Sequence, residues 1–553
     1  MEKEEVLEEK ELSSRTKRKC YMLTTLKYFF SVVLTFAAVY KIGRADYLMA
    51  GILELFCIFV LSNLLLHIKV IGQIVNTLLL LLYNVQMAVL MFANSYITMV
   101  MLTNLDSVKA LSGKAGIYIP AVLIVIVFSV MPIKKVEFDK VSNILLVISS
   151  AGLWIGFLVI FGEAFSPLYG YCDLGIQQYQ SIQLQKTIKE SVANAEDEEI
   201  LAEFYNMEIE DYRPKNAGLV EQPNVILIFT EGLSQNVVSD EREIMPNYKK
   251  WQSESLNFEN YYNHTFATYR GLSSQLYSGY QLEDYDVNTL PSLQSILSNE
   301  GYDTIFINSE PNNKEFSAYL RNFEFDELLG DRNSECNGAS NTISDKDVYE
   351  MLFDTAEEHQ STGKPFFLAT YTFGTHASLN STDQVFGDGT NAELNKFYDV
   401  DYQFGRFMEK FENSTLADNT IIIMTADHAT YQDDSFSESF PEYKREATPM
   451  DKIPFFIYHK GIMAENIDVN GRNTICLAPT ILDYLDISVP NCFVGTSLFS
   501  EIPGSVCETS FTDAHIIYTT KDNQINDMKK EEEKEFMKIV QNYYILKELK
   551  LQL

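Results

Sequence analysis

The sequence contains no Cys-x-x-Cys pair and no other cysteine spacing suited to a metal, which excludes zinc-finger and thioredoxin-like readings. Positive charge is also scarce. There are 43 Lys and Arg against 76 Asp and Glu, a formal net charge of -33. That deficit argues against holding nucleic acid or an anionic membrane by bulk electrostatics. Internal repeats are absent. No small-residue cleavage site follows the first apolar run, so that run reads as an uncleaved anchor. The cysteines after Gly170 are Cys172, Cys336, Cys476, Cys492 and Cys507, an odd set that cannot all pair. Free buried thiols are expected there, with Cys492–Cys507 the one bridge considered.

What is present divides into two halves. At 553 residues and 46% hydrophobic the chain is too long for one core and too apolar for disorder. Five apolar runs, 21–40, 47–66, 70–93, 116–131 and 143–162, each approach the ~20 residues that cross a hydrocarbon layer of ~30 Å. Under five spans, Lys17, Arg18, Lys19, His67, Lys69, Lys134, Lys135 and Lys140 share one face, against Lys41, Arg44, Lys109 and Lys114 on the other. The bias places the first face in the cytoplasm and the half after Gly170 outside the membrane. Glu54, inside the second run, is expensive in lipid unless it is functional or bonded to polar neighbours such as Asn63, Gln73, Asn76 or Asn84.

The expected organisation is a cytoplasmic segment 1–20, a transmembrane domain 21–165, an amphipathic linker 166–222, an extracytoplasmic α/β domain 223–520 and a C-terminal helix 521–553. In the second half, strands at 224–230, 304–307, 366–371, 420–424 and 454–458 alternate with helices near 245–255, 268, 290–299, 345–358, 392–411 and 477–485. That order predicts a mostly parallel sheet wrapped by helices. The run Lys529-Lys-Glu-Glu-Glu-Lys-Glu marks the last helix as a solvated surface element.

Chemistry concentrates where strands end. The apolar strand Asn224–Thr230 runs into Glu231, and Thr420–Met424 runs into Thr425-Ala-Asp427-His428. In open α/β sheets working groups sit beyond the carboxyl ends of strands. Thr268 heads a helical pattern, where free backbone N–H groups favour anions. A threonine hydroxyl is a weak nucleophile until its proton is removed or a cation stabilises the alkoxide. Oxygen and imidazole ligands suit manganese, magnesium or zinc. Taken singly, each residue has a structural alternative: Thr268 as a helix cap, Glu231 as a surface strand end, His428 as a bonded core histidine. Thr265 is a second hydroxyl nearby.

These residues resemble the alkaline phosphatase/sulfatase superfamily and, with the preceding spans, its lipoteichoic acid synthase and phosphoglycerol transferase branch. The matching stretches, in order, include Asn224–Glu231, Met245-Pro-Asn, Thr268, Leu276-Tyr-Ser-Gly, Ser292–Phe306, Lys364–Leu368, Thr375-His376, Asn419–His428, Ile453-Pro-Phe, Ala478–Leu482 and Gly495–Leu498. The resemblance implies that Glu231, Thr268, Asp427 and His428 hold one divalent cation, manganese by family habit, and that Thr268 carries a phosphoryl intermediate. It implies that His376 contacts the phosphate or its headgroup. The family's histidine, aromatic and arginine after the strand near Phe306 are replaced by Asn308-Ser-Glu-Pro-Asn-Asn-Lys314-Glu-Phe316, which leaves open a headgroup other than glycerol phosphate, with Asn308 and Lys314 the candidates for the headgroup side. Asp-His-Gly becomes Asp427-His428-Ala429. Thr268-Tyr-Arg-Gly is not the Cys/Ser-x-Pro-x-Arg of formylglycine sulfatases, which argues against sulfate ester hydrolysis. The expected activity is headgroup transfer from a membrane phospholipid to an envelope glycan or polyglycerol phosphate. The alternatives are a metal-dependent phosphodiesterase or phosphatase, and a non-catalytic lipid-binding protein.

Overall fold

In the computed structural model the described residues are 2–42, 45–93, 95–98, 101–102, 115–162, 165–192, 204–206, 219–281, 287–330, 336–337, 339, 342–377, 379–381, 383–445, 449–501, 504, 506–511 and 517–548. They fall into two compact units, 1–106 with 114–179, and 107–113 with 180–553. Of the expected linker, 193–203 and 207–218, and of the flanking charges Arg44, Lys109 and Lys114, lie outside the described residues.

The first unit is built of helices at Glu2–Ile42, apolar from Tyr21 on, Ala45–Leu65, Lys69–Ala93, Ala115–Val130 and Lys140–Phe161. Four are long and apolar enough to cross a membrane: Tyr21–Ile42, Ala45–Leu65, Lys69–Phe92 and Lys140–Ile160. Gly116–Val130 is shorter. Between the fourth and fifth helices the backbone is irregular, and side chains take up its polar groups. Ile133 N donates to Gln73 Oε1 at 2.9 Å and Val136 N to Asn63 Oδ1 at 2.7 Å. Lys27 Nζ donates to the Met131 carbonyl at 2.8 Å and to Asn76 Oδ1 at 2.6 Å. Lipid supplies no hydrogen bonds, so irregular backbone needs such partners.

Asn63, Gln73 and Asn76 are therefore engaged away from Glu54, contrary to the sequence expectation. The buried Glu54 carboxylate instead accepts from the Ser166 hydroxyl, from Trp154 Nε1 at 3.2 Å and from Leu168 N at 3.0 Å. It satisfies the first turn of the helix Pro167–Val192, whose free N–H groups attract a negative charge.

The second unit carries an eight-stranded sheet: β1 (Asn224–Thr230), β2 (Leu256–Glu259), β3 (Asp303–Ile307), β4 (Glu327–Leu329), β5 (Phe366–Tyr371), β6 (Thr420–Ala426), β7 (Phe455–Tyr458) and β8 (Glu465–Asp468). The spatial order is β4-β3-β5-β1-β6-β7-β2-β8. From β4 to β6 every pairing is parallel, while β7 runs antiparallel to both neighbours. β1, β5 and β6 are buried along their whole length, the environment that selects continuous Val, Ile, Leu and Phe runs. The expected helices are present at Pro246–Ser253, Thr268–Tyr277, Leu293–Asn299, Asp345–Gln360, Ala392–Glu412 and Leu477–Tyr484. β2, β4 and β8, three or four residues each and partly polar, left no apolar run to read in the sequence.

Two further expectations are revised. The last helix, Lys530–Glu548, is not merely solvated: Phe536, Val540, Tyr543, Tyr544, Ile545 and Leu546 are buried. Tyr543 stacks edge-on to Tyr280 at 5.8 Å, and its hydroxyl accepts from Asn288 Nδ2 at 2.9 Å. The Cys492–Cys507 bridge is not formed. Cys507 is free and accepts from Thr496 N at 3.4 Å, and its thiol hydrogen-bonds that of Cys476.

Candidate metal centre

The site begins with strand register. β1 and β6 are parallel neighbours with Thr230 opposite Ala426, so the next residues, Glu231 and Asp427, leave the sheet side by side. Both are buried, at 4% and 1% exposure. Gly232 (φ 49°) turns the chain tightly, and its N–H donates to Asp427 Oδ1 at 2.8 Å. His428 N donates to the same oxygen at 2.7 Å. Asp427 Oδ2 is left with no hydrogen-bond partner and lies 3.6 Å from His428 Nε2. On the other side of β1, the Glu231 backbone is held by the loop after β5: its N–H donates to Thr372 Oγ1 at 3.3 Å and its carbonyl accepts from the Thr375 hydroxyl.

Nδ1 of His428 lies 2.7 Å from the Ala429 carbonyl, which can only accept, so Nδ1 carries a proton and Nε2 is the nitrogen that faces the carboxylates. Nε2 is 3.5 Å from Glu231 Oε1.

Thr268 completes the group. Its hydroxyl donates to Glu231 Oε2 at 2.8 Å. A helix-capping hydroxyl accepts from backbone N–H groups, so this geometry is not that of a cap. The cap position belongs to Ala267, whose φ of 78° and ψ of 142° are rare for a residue with a side chain. Thr268 is partly exposed, whereas Glu231, Asp427 and His428 are buried. Thr265 is buried, its carbonyl taken by Asn263 Nδ2 at 2.8 Å. Two residues missed by sequence reasoning set the approach. Gly271 sits where any Cβ would collide with the Asp427 carbonyl, and Gln275 Nε2 donates to the Gly271 and Ala426 carbonyls, both at 3.1 Å.

Electrostatics favours a cation here. Burial, with Glu231 adding to it, pushes the Asp427 carboxyl up to about 7. Burial alone would lower His428, but Asp427 and Glu231 outweigh it and raise its pKa. One ligand atom each from Glu231, Asp427 and His428 lies within 4.8 Å of the others. Crowded carboxylates, an unpartnered Asp427 oxygen and an imidazole Nε2 facing them fit one divalent cation with mixed oxygen and nitrogen ligands, which would take the place of the proton.

The remaining candidates lie on neighbouring strand ends. His376 follows β5, partly exposed and stacked on Phe373 at 5.0 Å, with Nδ1 3.2 Å from the Ala377 carbonyl. Burial lowers its pKa to about 4, so the ring is neutral at physiological pH. Asn308 follows β3 and is occupied locally: Oδ1 accepts from Glu310 N at 2.9 Å and Tyr371 OH at 3.2 Å, and Nδ2 donates to Ser317 Oγ at 2.9 Å. Lys314 is exposed at the start of the helix Lys314–Arg321. Among the described contacts neither is bonded to the four clustered residues.

The turn before His376 depends on Asp345, whose Oδ1 accepts from Phe373 N at 3.2 Å and Gly374 N at 3.0 Å. Burial first, and Asp399 second, push the Asp345 carboxyl up from 3.8 to about 7. The folded state therefore holds this proton more tightly than the unfolded chain, and the resulting stabilisation is complete below the unfolded value and lost as pH rises through 7. Asp345→Asn is expected to flatten that decline. Thermal midpoints at pH 5 and pH 8, read as wild type minus variant, check it; parallel pH profiles would rule it out.

Residues 223–487 match the Sulfatase family. The chain is 22% identical over 346 residues to a lipoteichoic acid synthase-like protein, YvgJ, of Bacillus subtilis, covering 55% of this chain and 54% of that one. It thus spans about half the length of that curated relative. Among solved structures, the lipoteichoic acid synthase LtaP of Listeria monocytogenes aligns with a TM-score of 0.50 at 15% identity, over 63% of this chain and 98% of that one. The integral membrane protein lipooligosaccharide phosphoethanolamine transferase A of Neisseria meningitidis aligns with a TM-score of 0.51 at 14% identity, over 84% and 95%. At such identities the structural likeness is one of fold.

Proposed function

We propose that this chain, whose residues 223–487 form a sulfatase-family domain, is a membrane-anchored, metal-dependent phosphotransferase with its active site outside the cytoplasmic membrane. Its donor is a membrane phospholipid, with phosphoglycerol the headgroup, and its acceptor an envelope glycan or polyglycerol phosphate. The observation that carries this reading is the partly exposed Thr268, whose hydroxyl donates at 2.8 Å to a carboxylate that shares a ligand cluster with Asp427 and His428.

Glu231, Asp427, His428 and Thr268 would hold one divalent cation, with manganese favoured by the family and magnesium and zinc open. When bound, it supplies Lewis-acid stabilisation of negative charge on oxygen. Glu231 Oε2 is placed to take the Thr268 proton. The threonine oxygen bonds to phosphorus, the phosphorus–oxygen bond to diacylglycerol breaks, and the alcohol leaves with a proton. An acceptor hydroxyl then displaces threonine, which regains its proton. His376 offers a neutral Nε2 to headgroup hydroxyls, and Asn308 and Lys314 are assigned to the same side. Apolar helices in the same chain suit a donor that is itself a lipid.

Headgroup-phosphate-labelled phosphatidylglycerol and phosphatidylethanolamine, mixed with protein and manganese and quenched in acid, test the proposal. Label is expected on the peptide containing Thr268 and is expected to pass to an added glycan acceptor. Label found only in free headgroup phosphate, with none on protein or glycan, would identify a hydrolase instead.

A further inference from the structure

We propose that Arg445 is a positioning residue for the cation site, the joint that ties together the three chain segments delivering its ligands; this rests on the metal-dependent reading above. The loop after β1 carries Glu231 and then Ser234, and the loop after β6 carries Asp427, His428 and then Thr430. These loops bond reciprocally: Ser234 N donates to Thr430 Oγ1 at 2.9 Å, and Thr430 N to Ser234 Oγ at 3.1 Å. Arg445, its side chain 1% exposed, closes the pair. Nη1 donates to the Thr430 carbonyl at 2.7 Å and Nη2 to Ser234 Oγ at 3.0 Å.

The third segment is reached through the counter-ion. Arg445 Nη2 also lies 3.1 Å from Asp451 Oδ2, and Asp451 Oδ1 accepts from the Tyr443 hydroxyl and from Lys452 N at 2.8 Å. Asp451 N donates to Asn263 Oδ1 at 2.9 Å, and Asn263 N returns to the Asp451 carbonyl at 3.3 Å. Asn263 Nδ2 then holds the Thr265 carbonyl at 2.8 Å, three residues before Thr268. Glu231, Thr268 and the Asp427-His428 pair, scattered along the chain, are thus linked through one buried guanidinium.

The physical need is clear. Two buried carboxylates repel each other, so loops carrying Glu231 and Asp427 tend to part unless tied elsewhere. A planar fork of five donors can satisfy a carbonyl, a hydroxyl and a carboxylate together, whereas an ammonium at the same place cannot keep that geometry. Arg445→Lys keeps the charge opposite Asp451 and loses the simultaneous ties. That separates positioning from simple charge pairing.

The full-length protein in detergent, titrated with manganese alone by calorimetry, tests this, together with its thermal midpoint without metal. Arg445→Lys is expected to melt within a few degrees of wild type and to bind manganese about 10- to 100-fold more weakly, the usual cost of losing a group that orients ligands. Saturating manganese is expected to restore much of the turnover. Ser234→Ala removes the shared acceptor and leaves both buried charges paired, and is expected to weaken binding about fivefold. Manganese affinities within twofold of wild type in both variants would overturn the inference and leave the metal-dependent reading standing. A wild-type protein that binds neither manganese nor, in parallel titrations, magnesium or zinc would overturn both.

Discussion

Thr268→Ala is expected to lower headgroup transfer by roughly 10⁴-fold or more, the scale seen when the nucleophile of a cooperating set is deleted. Its thermal midpoint should barely move. Thr268 is partly exposed, and its hydroxyl serves Glu231 rather than the helix it begins. Alanine is the better helix former, which offsets part of the lost hydrogen bond of about 1 kcal/mol. Thr268→Ser keeps the oxygen and is expected to retain transfer within about tenfold, the loss coming from a less restricted side chain. Thr265→Ala serves as the control, since that residue makes its described contact through its carbonyl. Transfer from labelled phosphatidylglycerol and phosphatidylethanolamine is the measurement. Undiminished transfer by Thr268→Ala, or loss in Thr265→Ala alone, would end the proposal.

The second large effect is expected at Gly271, and it runs against helix propensity. Replacing a helical glycine by alanine ordinarily stabilises by about 1 kcal/mol. Here a Cβ would meet the carbonyl of Asp427, a backbone atom that cannot swing aside. The helix Thr268–Tyr277 must then shift from the end of β6, breaking the Gln275 bonds to the Ala426 and Asp427 carbonyls at 3.1 and 3.3 Å. Gly271→Ala is therefore expected to destabilise by about 1–3 kcal/mol, as overpacking does. A displacement of about 1 Å at Thr268 is expected to reduce transfer about 10²-fold. Gly271→Val should be worse on both counts. Thermal midpoint, manganese titration and transfer read these together; a more stable and fully active Gly271→Ala would refute the close-approach argument.

The parts of this site that were legible in sequence share a cause. Asn224–Thr230 and Thr420–Ala426 are continuous apolar runs, and a buried parallel strand is the structure that suits them. Once both are strands of one parallel sheet, groups following their ends share a face, so Glu231 and Asp427 could be named from the chain alone. Gly271, Gln275 and Arg445 could not. Their roles rest on distances between segments far apart in sequence, and none stands in a periodic pattern. Glu54 makes the same point in the membrane unit. Its cost in lipid was evident, but its partners were not Asn63 or Asn76. They were Ser166, Trp154 and Leu168, more than ninety residues away.

By itself the sequence determined the succession of apolar helices and then α/β units, and the residue types that end β1 and β6, because hydrophobic period and strand-end polarity are local properties. Only the tertiary structure decided that Thr268 donates to Glu231, that Asp427 keeps one oxygen unpartnered, and that Arg445 spans the two ligand loops. Those facts depend on strand order and on the closeness of one helix to one strand end, which packing of the whole domain sets and no short stretch encodes.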